Sequence, residues 1–167
     1  MGKVEIVDDC LSPARYINLS YSGPNPYEVS KKIASTLQPF FHISGSGTGE
    51  TLFNWDNSGD PHTFFFKWWV KKTFSGFTTM WFHIKTKGSV SPETNDGEFI
   101  MSIQAIIKTT FSGYSLLFRP LWYIYSLMFY NKRRRQYLEM CNNFALSFRN
   151  EMKEHFNLDI GIERPER

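Results

Sequence analysis

Four histidines, two cysteines and a scatter of carboxylates are the residues of this 167-residue chain that could do chemistry. Their spacing argues against most of it. His42, His62, His83 and His155 form no HExxH or CxxC…HxxxH pattern, so no zinc ligand set is spelled out. Asp56, Asn57 and Asp60 lack the alternating oxygen ladder and closing glutamate of a calcium loop. With Pro61 they read as a turn in which Asp56 bonds its own backbone. Gly45, Gly47 and Gly49 are spaced like a phosphate cradle, but a cradle lies between a strand and a following helix. Here the predicted helix comes first and the strand second, and no Lys-Ser or Lys-Thr follows. There is no Gly-x-Ser-x-Gly nucleophile elbow. Glu50, Asp56, Asp60 and Glu98 are available as carboxylates, but one sequence does not pair them. No catalytic residue, metal ligand or cofactor is assigned. A binding protein is expected ahead of an enzyme, with a cyclase- or hydrolase-type enzyme holding its active site in a cavity kept as an alternative.

Cys10 and Cys141 lie 131 positions apart (141 − 10), which reads as neither a disulfide framework nor a metal knuckle. The expectation is free thiols in a reducing compartment: a cytoplasmic protein, with membrane association left open.

The elements that must position any site follow from periodicity. Residues 4–7 read as a short strand, and residues 15–21 alternate with Ile17, Leu19 and Tyr21 on one face. Asn25, Pro26 and Glu28 spell a helix start with a capping box, Val29, Ile33 and Leu37 recur every four residues, and Pro39 should end the helix. The period then becomes two. Strands are predicted at 51–55, 62–74, 78–87 and 98–111, joined by turn residues, which argues for an antiparallel meander. After Pro120 the chain reads as one helix of roughly 35 residues, long against a mean of about 11–12, so a break near Asn131 is expected. Its stripe is Leu138, Cys141, Ala145, Phe148, Met152 and Phe156. The fold class is therefore α+β: about five antiparallel strands packed on an N-terminal helix and a long C-terminal helix.

With 41% apolar and 17% aromatic residues, one domain over 1–162 can build a real core, leaving 163–167 as a flexible tail. A net charge of +3 does not by itself select nucleic acid. Residues 1–9 lack the apolar block of a signal peptide, and Ile6 stands where a myristoylation motif wants Ser or Thr. Asn18-Leu19-Ser20 matches a glycosylation acceptor inside a strand. The apolar run 116–130 is shorter than the roughly 20 residues a spanning helix needs, and it carries Arg119 and Pro120.

Two surfaces stand out. In residues 121–130 nine of ten side chains are apolar or aromatic, and Lys132, Arg133, Arg134 and Arg135 follow. That run is either buried on every side, or it meets a ligand, a partner subunit or lipid, with Trp122 and the four cations touching an anionic surface. The homo-oligomer is the same segment's other option. On the strands, alternation places Lys67, Trp69, Lys71, Trp81, His83, Lys85, Lys87 and Lys108 together, away from the apolar sets. Such a face is either solvated lysine over ring carbons or a stacking platform for single-stranded nucleic acid.

The element order over roughly residues 14–158 resembles a shortened START-like helix-grip fold, whose members commonly hold lipids or other apolar molecules. The resemblance implies an apolar space under the long helix, lined by Phe64, Phe66, Trp68, Met80, Phe82, Ile84, Met101 and Phe148. The expected function is a non-enzymatic binding module for an apolar or amphipathic ligand, peripheral to anionic membrane, with single-stranded nucleic-acid binding as the alternative.

Overall fold

Alternation of buried and half-exposed side chains along residues 62–111 builds the largest element, a twisted antiparallel sheet. The structure is a computed structural model and describes residues 4–111 and 119–158; the tail expected at 163–167 lies outside them. The strands are β1 (Val4–Asp9), β2 (Ile17–Pro24), β3 (Thr48–Asp56), β4 (His62–Thr73), β5 (Thr78–Val90) and β6 (Asp96–Phe111). Their spatial order is β1-β6-β5-β4-β3, with β2 also on β6. β1 and β2 lie end to end along the same edge of β6: Val4 is opposite Phe111 and Ile17 opposite Ile103.

Among the described residues the α-helices are α1 (Glu28–Phe41), α2 (Arg119–Tyr125) and α3 (Asn131–His155), the last two joined by a π turn over Ser126–Tyr130. The break expected near Asn131 falls at that turn. Two details of α1 differ from the sequence reading. Asn25 adopts a left-handed φ of 51°, and no side chain caps the helix. The turn closes instead through backbone, Glu28 N–H donating to the Asn25 carbonyl at 3.0 Å. Pro39 sits inside the last turn, and the helix ends at His42, whose left-handed φ of 50° is a common terminator. Proline costs little so near the end, because few helical bonds remain to be lost.

One continuous core fills the space between sheet and helices. The expected α3 stripe is confirmed: Cys141, Ala145, Phe148 and Met152 are buried, and Leu138 and Phe156 pack against them. Phe41 at the end of α1 meets Phe82 of β5 at 4.9 Å and Phe148 of α3 at 5.9 Å between ring centroids. Lys32 bonds Glu151 at 2.9 Å, tying α1 to α3.

The cysteine reading is corrected. Cys10, at the corner after β1, is disulfide-bonded to Cys141 on α3, with Cα atoms 5.8 Å apart, within bridging range. Sequence distance hid the pair because the whole fold intervenes between its halves. Cys10 N–H donates to the Ala105 carbonyl at 3.0 Å, and Asn142 Nδ2 donates to the Cys10 carbonyl at 3.0 Å, so the corner is pinned from both sides. Disulfides persist in oxidising surroundings, so the ground for a reducing compartment is gone. Among the described residues, no helix is long and apolar enough to cross a membrane.

Candidate functional site

The residues expected to line a ligand space all lie on the inner side of the sheet or on the helix packed against it. Phe64, Phe66, Trp68, Met80, Phe82, Ile84, Met101 and Phe148 are all 5% exposed or less and belong to one core. Their rings touch in sequence: Phe64–Phe66 at 5.3 Å, Phe66–Trp68 at 5.4 Å and Phe82–Phe148 at 5.5 Å. Thr86 interrupts this layer. Its hydroxyl is fully buried and finds no hydrogen-bond partner among the described residues. A surface recess of about 420 Å³ opens elsewhere, where Tyr27, Trp55 and His62 come together at the start of α1.

The junction of α2 and α3 overturns one sequence reading. The segment 121–130 is not buried on every side. Leu121, Tyr123, Ile124, Tyr125, Leu127 and Met128 are exposed by between 47% and 71%. Trp122 lies in α2, but its side chain is outside the described ones. Tyr130 alone among the described side chains of the run is buried, and its hydroxyl explains why. It hydrogen-bonds Thr78 Oγ1 and Ser75 Oγ at the β4–β5 turn, with Phe77 at 6.4 Å and Phe111 at 5.8 Å packed edge to face around it. Tyr130 therefore anchors α2 to the end of the sheet, a role that composition alone did not single out.

The four cations that follow divide. Arg134 makes a two-pronged bond to Asp8 of β1, Nε to Oδ2 and Nη2 to Oδ1, both at 2.7 Å. That hydrogen bond raises the Arg134 pKa above its ordinary value, against the opposing effect of burial. Lys132, Arg133 and Arg135 are exposed. Four consecutive helical residues span the whole circumference, so one of them had to face the sheet; the sequence implied this without saying which.

The outer face of the sheet assembles as alternation predicts. Trp69 is opposite His83, Lys71 opposite Trp81, and Lys67 opposite Lys85. The Trp69 and Trp81 rings are 5.9 Å apart, and Trp81 and His83 stack at 6.3 Å with planes 10° apart. Lys71 Nζ and Lys108 Nζ stand over the Trp81 ring at 5.5 and 5.6 Å. Arg15 and Lys85 both reach Tyr16 at 6.0 Å, extending the aromatic row beyond what strand periodicity marked. His83 has its pKa pushed below 6.5, first by burial and then by the positive charges of Lys67, Lys108 and Lys85.

The fold and surfaces define an α+β protein: a six-stranded antiparallel sheet held by a long C-terminal helix, with an aromatic cationic end and a basic aromatic face. No protein-family model and no curated protein matches the chain. It is similar to the solved Mll3558 protein from Rhizobium loti, at 10% identity over 86% of this chain and 99% of that one, with a TM-score of 0.17. It is also similar to an uncharacterized protein from Rhizobium leguminosarum, at 9% identity over 86% of this chain and 99% of that one, with a TM-score of 0.19. Superpositions that loose carry no argument about function.

Proposed function

We propose that this chain is a binding module for an amphipathic ligand, and that it meets that ligand at an anionic membrane surface through α2 and the cations after it. The observation that carries the reading is the exposure of six large apolar side chains within residues 121–128, followed directly by exposed Lys132, Arg133 and Arg135. Exposed apolar patches mark interaction sites. A neutral protein partner would suit the apolar part and leave the charges idle. An anionic bilayer uses both: each cation near the surface contributes about 1 kcal/mol, so three supply about 3 kcal/mol. Burying even two of the apolar side chains adds a few kcal/mol at roughly 1.5–3 each. Before ordering costs the sum is about 6–9 kcal/mol, and those costs reduce it, so binding is expected to be weak and reversible.

Flotation with vesicles tests the membrane step. The protein is expected to float with vesicles containing phosphatidylserine and to stay behind with purely zwitterionic ones. Lys132→Ala/Arg133→Ala/Arg135→Ala should abolish the difference. Equal recovery with both vesicle types, unchanged in that variant, refutes the reading. A dimer that depends on α2, with no flotation at all, replaces it with an oligomer interface.

A further inference from the structure

The outer face of β4, β5 and β6 lies on the other side of the sheet from the core, and the membrane reading does not use it. We infer that this face is a second binding site, and that its ligand is single-stranded nucleic acid held by Trp69, Trp81 and the lysines around them.

Neither β4 nor β5 contains a single Asp or Glu, while Lys67, Lys71, Lys85 and Lys87 all project from their outer side. Among the described residues none of these four has a carboxylate within 4 Å; Lys108 reaches Glu5 at 3.9 Å at one margin, and Glu98 stands at the other. Lys67 and Lys85 face each other directly across the strands. Like charges in that position destabilise a sheet, and a surface that only needed solubility would alternate them with acids. The cost is recovered when a polyanion lies across them. Burial is the first cause of the lowered His83 pKa, and the charges of Lys67, Lys108 and Lys85 add to it.

The aromatic rings select among polyanions those with exposed bases. Trp69, Trp81 and His83 form adjacent rings on two strands, and Tyr16 continues the row beside Lys85. The lysines over Trp81 are flexible and monovalent, so a base can take their place on the ring while they move to its phosphate. From Trp81 to Lys87 the strand runs about 20 Å, enough for several nucleotides of an extended strand. Polar side chains lie alongside: Gln104 opposite His83, and Ser102, whose hydroxyl donates to Asn18 Oδ1 at 2.7 Å. They can meet base edges. A lipid bilayer would make no use of Gln104 and Ser102, and duplex nucleic acid would hide the bases that the rings would stack.

Fluorescence anisotropy with labelled homopyrimidine DNA and RNA oligonucleotides tests the inference, with the matching duplex as a control. Single strands should bind and the duplex should bind more weakly. If about four phosphates are neutralised, the log–log salt slope should be near −3, so raising salt from about 50 to about 200 mM should weaken binding about fifty-fold. Trp69→Ala and Trp81→Ala should each weaken it by about five-fold or more, as expected when a stacked base is lost. Lys67→Gln/Lys85→Gln, which relieves repulsion and should leave the melting temperature unchanged or higher, should flatten the slope by about 1.4. Lys132→Ala/Arg133→Ala/Arg135→Ala should leave oligonucleotide binding intact, which separates this site from the membrane reading. Absence of binding at low salt overturns the inference, as does binding that the tryptophan and Lys67/Lys85 variants leave unchanged. Loss of vesicle flotation in the Trp69 and Trp81 variants, with no oligonucleotide bound, reassigns the face to lipid.

Discussion

Thr86 and His83 sit on the same strand, point to opposite sides of the sheet, and are both out of balance with their surroundings. The Thr86 hydroxyl is buried without a partner among the described residues, and an unmade bond at a buried donor costs about 1–3 kcal/mol. Thr86→Val keeps the shape and removes the polar atom. It should raise stability by about 1 kcal/mol, visible as a higher urea midpoint at unchanged m-value. A fall in stability would mean that the hydroxyl is satisfied in solution. His83 makes the pH-dependent counterpart. Its folded pKa lies below 6.5, so the folded state binds a proton less readily than the unfolded chain. Between the folded pKa and 6.5 the unfolded state holds more protons, and stability must rise with pH. The contribution is present in full above 6.5 and is lost as the pH falls through the folded value. Thermal melts taken from neutral to mildly acidic pH should therefore show a drop that His83→Gln reduces. An identical drop in the variant would place the effect on other groups.

Among the elements, the junctions were harder to read than the spans. Strand β4 was expected at 62–74 and runs His62–Thr73, with Phe64, Phe66, Trp68 and Val70 buried and the residues between them at least partly exposed. The α3 stripe was legible in the same way. The cap of α1 was misread: Asn25, Pro26 and Glu28 have the right types, but Asn25 N–H bonds the Asn95 carbonyl at 2.8 Å in a left-handed conformation, a tertiary contact no local pattern encodes. The disulfide was missed for a similar reason, since Cys10 and Cys141 approach only after β1 has paired with β6 and α3 has crossed the sheet. That bond closes almost the entire chain. Chain-entropy reasoning gives it up to about 4–5 kcal/mol, with about 2–4 typical. Cys10→Ala/Cys141→Ala, or a reductant applied to the native protein, should lower stability by that order in urea unfolding. No change on reduction would show the two thiols to be unpaired in solution. Arg134 offers a second test at a junction. Asp8→Asn removes the carboxylate that receives its fork and should cost about 1–3 kcal/mol in urea unfolding. Retained stability would mean that the fork is not what holds β1 to α3.

At the scale of the whole molecule, the longest run of exposed apolar side chains among the described residues is at one end, in residues 121–128. Tyr130 ties α2 to the β4–β5 turn through Ser75 and Thr78, and Phe77 at the tip of that turn is itself 41% exposed. The exposed apolar groups of α2 and the π turn therefore project from the end of the sheet, while the packed core sits behind them and should not unfold when they are changed. This separation sharpens the membrane prediction. Leu127→Asp/Met128→Asp puts two charges on exposed positions of the π turn and leaves the buried core untouched. Melting temperature should stay the same within a few degrees, while flotation with anionic vesicles falls at least ten-fold, because two apolar insertions are lost and two acids now face an acidic surface. High salt should act differently on the two sets of groups. It should weaken the attraction of Lys132, Arg133 and Arg135 but spare the apolar part, so wild-type binding to anionic vesicles should decline with salt toward the low level expected on zwitterionic ones. A double-aspartate variant that unfolds would mean that these side chains serve the core. One that folds and still floats like wild type would mean that α2 is not the contacting element.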